Sequence, residues 1–137
     1  MSENGTVIEC ELVKIVIRET SDQQYIFLKE KAGERAFPIV IGYFEASAID
    51  RRVRGVATPR PMTHELLLNT IEALGGEVVK IVVNRLQENT FYAQLIVSRD
   101  GQEMELDCRP SDAIAIAVAV GARIFVAEEV IEAVTGI

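Results

Sequence analysis

The sequence predicts an α+β domain: a mixed or antiparallel sheet core with two β-β-β-α repeats, an intervening helix and a short C-terminal helix. Three observations predict it. Short β-forming runs separated by turn residues fall into two groups of three, and a helical segment follows each group. Val13-Lys14-Ile15-Val16-Ile17 matches Val79-Lys80-Ile81-Val82-Val83 at an offset of 66. Glu45-Ala46-Ser47-Ala48-Ile49 matches Asp112-Ala113-Ile114-Ala115-Ile116 at an offset of 67, which one extra turn residue accommodates. The repeats cover 7–52 and 78–120, and two units this small need to share one core.

Taken in order, Val7 to Ile17 reads as a strand, Glu19 to Gln23 as a polar turn and Tyr25 to Leu28 as a second strand. Lys31-Ala32-Gly33-Glu34 turns the chain into a third strand, Ala36 to Ile41, before Gly42 breaks it. Tyr43 to Arg52 forms a short helix with Phe44, Ala48 and Ile49 inward. A loop with two prolines and a glycine follows, and Thr63 then caps a helix that carries Leu67, Ile71 and Leu74 on one side and stops at Gly75-Gly76. The second group of strands is Val78 to Val83, Phe91 to Val97 and Glu103 to Asp107; its turns are Gln87-Glu88-Asn89 and Arg99-Asp100-Gly101. Arg123 to Val126 and Glu128 to Val134 supply a last strand and helix.

Ala113 to Val120 contains no polar residue and alternates alanine with isoleucine or valine, formally a strand period. Helix is the better reading. The alanines favour it, Pro110 suits the approach, Ser111 or Asp112 caps the free N–H groups and Gly121 accepts a left-handed terminating conformation. A helix apolar all round is buried all round, so the polar joint Asp107-Cys108-Arg109-Pro110-Ser111-Asp112 is anchored to the core.

The 137 residues are enough for a sizeable core, and 49% apolar with 26% charged residues is an ordinary globular composition. The net charge of −7 argues against a general nucleic-acid binder that relies on many phosphate contacts. It leaves open an enzyme that acts on phosphate esters through bound cations. Met1-Ser2-Glu3-Asn4-Gly5 is polar and carries no secretory signal, and no apolar run reaches the roughly 18 residues of a membrane span. Cys10 and Cys108 lack metal-like spacing and read as reduced thiols of a cytoplasmic protein.

Three segments carry a family resemblance: Arg60-Pro61-Met62-Thr63-His64-Glu65-Leu66-Leu67, Phe91-Tyr92-Ala93 with its strand, and Asp107-Cys108-Arg109-Pro110-Ser111-Asp112-Ala113-Ile114-Ala115. Together they closely resemble the bifunctional nuclease domain family, from about Val7 to Val134. The resemblance implies an α+β fold in a single domain, 1–137, a homodimer and hydrolysis of RNA and DNA phosphodiesters. Cys108 stands where alanine is common in the family.

On that reading Asp107 and Asp112 hold a divalent cation, Mg²⁺ or Mn²⁺, which polarises the phosphate and lowers the pKa of bound water; no organic cofactor is implied. Arg109 and Arg60 position phosphate, with Arg54, Arg51 and Arg52 as further contacts from an arginine-rich loop, and His64 with Glu65 transfers protons. Each residue also has a structural reading. Asp112 favours its helix N-terminus, Asp107 pairs with Arg109, Thr63 and Ser111 are caps, and His64 meets solvent or a partner subunit. Glu45 lies opposite Asp112 in the repeat, as an acidic pair or as a matched helix start. The rival function is a non-catalytic regulatory or protein-interaction module that binds a partner or a small anionic ligand. Convergence of His64, Asp107, Arg109 and Asp112 in an open cleft favours the enzyme; a closed salt-bridge network favours the module.

Overall fold

The computed structural model describes residues 5–137, so the polar opening read above from Met1 to Asn4 lies outside the described residues. The strands are β1 (Val7–Val16), β2 (Gln24–Glu30), β3 (Ala36–Ile41), β4 (Glu77–Gln87), β5 (Thr90–Arg99), β6 (Gln102–Cys108) and β7 (Arg123–Ala127). The helices are α1 (Tyr43–Val53), α2 (Thr63–Ala73), α3 (Pro110–Val120) and α4 (Glu128–Thr135). All seven strands join one mixed sheet in the order β3-β2-β1-β7-β4-β5-β6. Among the described residues only the β4–β7 pair is parallel.

The order β-β-β-α therefore occurs twice, with β7 between the two strand triplets. β1 breaks register at Val13, and β4 breaks it at Val79 and again at Asn84. Val13 and Val79 are matched positions of the 66-residue offset. Two-residue turns close the later hairpins: Glu88 and Asn89 have φ of 53° and 62°, and Asp100 and Gly101 have φ of 52° and 80°. Paired positive φ values match the twist of the flanking strands.

One face of the sheet holds the core. Cys10, Ile26, Leu28, Phe37, Ile39, Ile81, Val83, Ala93, Leu95 and Val126 point to it and are buried with the inner residues of α1, α3 and α4. Phe37 of β3 and Phe91 of β5 bring their ring centroids within 6.3 Å, so the two halves of the sheet approach each other across this core. α3 is helical, as its alanines, Pro110 in the first turn and Gly121 at φ 73° dictate. Ala113 to Ala117 are all buried, and the small side chains of the alanines let α1 lie alongside.

Two cap assignments need correction. Thr63 and Ser111 fall inside α2 and α3, whose capping positions are Met62 and Arg109, and neither cap position carries a side-chain cap hydrogen bond. At α2 the N-terminal partner is Glu65, whose carboxylate accepts the Met62 N–H at 2.7 Å. At α3 proline takes the first helical position, which sets the boundary ahead of the serine. Phe44 was also expected inside but is exposed; Ala46 and Ile49 form the buried face of α1.

Polar groups buried through bonds outside the strand lengthen β2 beyond the predicted span. Gln24 is fully buried; its amide donates to Arg18 O at 2.9 Å and Ser21 O at 2.7 Å and accepts the Arg18 N–H, closing the β1–β2 turn. Glu30 accepts from the Arg35 guanidinium at 2.7 Å and from its N–H at 3.0 Å, and the same guanidinium bonds Glu128 of α4 at 2.6 Å.

These pairs make stability depend on pH. The Arg35 hydrogen bonds hold the Glu30 and Glu128 carboxyls below the usual range, and those from Arg123 and Lys31 hold Glu9 at about 2. Carboxyls with depressed folded-state values add stability that is fully present above the ordinary value near 4.5 and is lost as pH falls through the folded values. Urea unfolding midpoints should therefore be level from neutral pH to about 5 and fall below it. The deficit of Arg35→Gln relative to the parent should shrink in the same acid range.

Candidate active site

The site is assembled from three helix N-termini. Glu45, Glu65 and Asp112 are each the third residue of α1, α2 and α3, where free N–H groups and the helix dipole favour a carboxylate. α1 and α3 run parallel: Arg109 bridges their N-terminal ends, and at their C-terminal ends Arg52 donates to Ala119 O at 2.6 Å. α2 packs on α3 and brings His64 to Asp112.

The result is a connected set of four side chains. His64 Nε2 lies 3.0 Å from Asp112 Oδ1. Arg109 Nε donates to Asp112 Oδ2 at 2.9 Å, and its Nη2 reaches Asp112 Oδ1 at 3.1 Å and Glu45 Oε2 at 3.2 Å. Burial alone would push the Asp112 carboxyl up, but hydrogen bonds from Arg109 and His64 outweigh it and hold the group below its usual value. The Asp112 bonds in turn raise Arg109. Gly42 belongs to this arrangement, because any side chain there would run into the Glu45 carboxylate.

An ionised Asp112 only accepts, so the proton lies on His64 Nε2 in the neutral ring and Nδ1 carries the lone pair. Nδ1 has no protein partner among the described residues. The ring is 18% exposed and borders a pocket with Arg51, Arg52, Thr58 and Glu65, whose space comes from Ala48, Ala115 and Ala119. Glu65 is occupied at the start of α2, accepting from Met62 N and from Thr58 Oγ1 at 3.4 Å.

Not all the expected residues come together. β6 pairs Cys108 with the buried Ala93, and Asp107 with Gln94. Directly paired residues share a face and successive residues alternate, so Asp107 points away from the helices, to the face opposite Asp112. Asp107 makes no ion pair with Arg109; Asp112 and Glu45 do. Arg54 pairs with Asp50 at 3.2 Å, and Arg60 is exposed on the loop; neither borders the pocket. Arg51 and Arg52 are the arginines that do. Burial pushes the Cys108 thiol up to about 11, which disfavours its thiolate; Cys10 is raised likewise, and both are free thiols.

A divalent cation on Asp107 and Asp112 does not fit this arrangement. The two carboxylates face opposite sides of the sheet, both Asp112 oxygens are engaged, and the described residues contain no group of three or more His, Cys, Asp or Glu side chains able to hold a metal ion. Nor is any described helix long and apolar enough to cross a membrane.

The chain that carries this arrangement matches a recognised domain family. Residues 26–136 match the family model of the bifunctional nuclease domain. An uncharacterized protein of Mycobacterium tuberculosis is 42% identical over 123 residues, covering 90% of this chain and 73% of that protein. Bifunctional nuclease 2 of Oryza sativa subsp. japonica is 30% identical over 106 residues, covering 74% of this chain and 33% of that protein. Bifunctional nuclease 1 of Arabidopsis thaliana is 30% identical over 84 residues, 59% of this chain and 26% of that protein. The chain belongs to the bifunctional nuclease domain family.

Proposed function

We propose that this protein is a cytoplasmic nuclease that hydrolyses phosphodiester bonds of RNA and DNA, with His64 as general base. The observation that carries the reading is the His64–Asp112 hydrogen bond at a pocket bordered by two arginines. His64 Nδ1 takes a proton from the attacking water as the new P–O bond forms and the bond to the leaving nucleoside oxygen breaks; the imidazolium then returns that proton through solvent to the leaving alkoxide. Asp112 orients the ring and stabilises the imidazolium, and Arg109, held by Glu45, keeps Asp112 ionised and in place. Arg51 and Arg52 bind the phosphate and offset its developing charge. Activation of water serves RNA and DNA alike, whereas attack by a 2′-hydroxyl would restrict the enzyme to RNA. The names of the plant relatives support the activity.

The expected Mg²⁺ or Mn²⁺ enters no step of this scheme. An ion carried in by the substrate's phosphates is tested by adding magnesium, manganese or chelator to the assay. Asp107→Ala separates the schemes: a base at His64 predicts a change in turnover of less than about twofold, because the residue faces the other side of the sheet. Loss of activity in folded Asp107→Ala protein would restore the aspartate-held cation and remove the scheme proposed here.

One observation favours a second reading. Asp107 stands apart, and Glu45, Arg109, Asp112 and His64 pair with one another, the closed network expected of a module that binds an anionic ligand without turnover. Saturable RNA binding with no cleavage in any metal or chelator condition would select that reading.

A further inference from the structure

β6 is an open edge of the sheet. It packs on β5, its register with that strand is unbroken from Gln102 to Cys108, and every residue from Gln102 to Asp107 is exposed. Alternate residues therefore direct N–H and C=O groups away from β5, with no strand among the described residues to receive them. The opposite edge, β3, is interrupted at mid-strand by Pro38, which lacks a donor. β6 contains no proline, lysine or bulge to blunt it.

Its two faces differ in character. Met104 and Leu106 lie on the helix side beside Val97 and Leu95, yet remain 42% and 45% exposed. Glu103, Glu105 and Asp107 lie on the other side, spaced about 6.6–6.8 Å apart along the strand. Among the described residues none of the three carboxylates is in an ion pair.

We propose that the β6 edge docks an extended segment of a partner protein in which lysine or arginine alternates with apolar residues. Main-chain hydrogen bonds would continue the sheet, the basic side chains would lie beside Glu103, Glu105 and Asp107, and the apolar ones would cover Met104 and Leu106. A second copy of this chain is the wrong occupant, because antiparallel pairing of β6 with itself sets acidic row against acidic row. Nucleic acid is repelled by the same row. The inference is independent of the nuclease reading.

The probe is a labelled seven-residue peptide of alternating lysine and valine, blocked at both ends and titrated into the full chain by fluorescence anisotropy, with amide hydrogen exchange followed at 102–108. The expected result is saturable binding that slows exchange across β6 and is weakened about tenfold in the double variant Glu105→Lys, Asp107→Lys, both exposed positions. A peptide of the same composition with the lysines grouped together should bind at least about tenfold more weakly. The proposal is overturned if the regrouped peptide binds equally, if the charge reversal has no effect, if binding leaves exchange at 102–108 unchanged, or if the protein alone protects those amides in a concentration-dependent way.

Discussion

Asp112→Asn should lower kcat/KM on single-stranded RNA by about 10²–10⁴-fold, mainly through kcat. Asparagine keeps the size of the side chain but can donate an N–H to His64 Nε2. That bond selects the tautomer with its proton on Nδ1, the nitrogen assigned to accept one from water. The substitution also removes the charge that balances the imidazolium in the transition state. Asp112 is partly exposed and its pairing with Arg109 is at the surface, so the fold should survive with little loss. Steady-state kinetics on protein with an unchanged circular dichroism spectrum checks this. A variant within about threefold of the parent would mean that Asp112 only braces α3.

Ile116→Ala should give the largest loss of stability, about 3–4 kcal/mol. Ile116 is 1% exposed at the centre of a helix packed against α1, α2 and the sheet. One turn away on α3, Ala113 and Ala119 are already small and cannot extend into the space left behind. The cost therefore contains both the lost transfer of the methyl and methylene groups and a cavity contribution. Urea unfolding should show a lower midpoint with an unchanged slope. A loss under about 1 kcal/mol would show that the helix and sheet close around the gap.

Much of the fold was legible because local and periodic signals agreed. Alternating β-branched strands, glycine-marked turns and the alanine-rich segment each point to the element observed. The strand ends at Gln24 and Glu30 were not legible. Polar residues normally mark a strand's end, and these are buried through Arg18, six residues away, and through Arg35, which also bonds Glu128 93 residues away from itself. Caps were misplaced because side-chain preference points to serine and threonine, whereas the extended backbone at Met62 and Arg109 decides the boundary.

The site was legible in its residue types and only partly in its pairings. His64, Arg109 and Asp112 came from the two motif segments, and the 67-residue offset pointed to Glu45. The bond between Glu45 and Arg109 depends on the parallel packing of α1 and α3, which no local pattern specifies. Asp107 illustrates the converse. Strand alternation already separates it from Cys108, but which face receives α3 is decided by the tertiary fold. Arg51 and Arg52 were visible only as part of a charged stretch, and the alanines of α1 and α3 that open the pocket looked like ordinary core residues.

The most direct test of the catalytic reading is the rate at which highly purified protein cleaves a fluorogenic single-stranded RNA and the matching DNA, measured beside identically purified His64→Gln. Glutamine retains a hydrogen-bonding side chain but supplies no base. The base assignment predicts cleavage of both substrates by the parent protein and a fall of at least about a hundredfold on both in the variant. Equal rates for the two proteins, on either substrate, would contradict it.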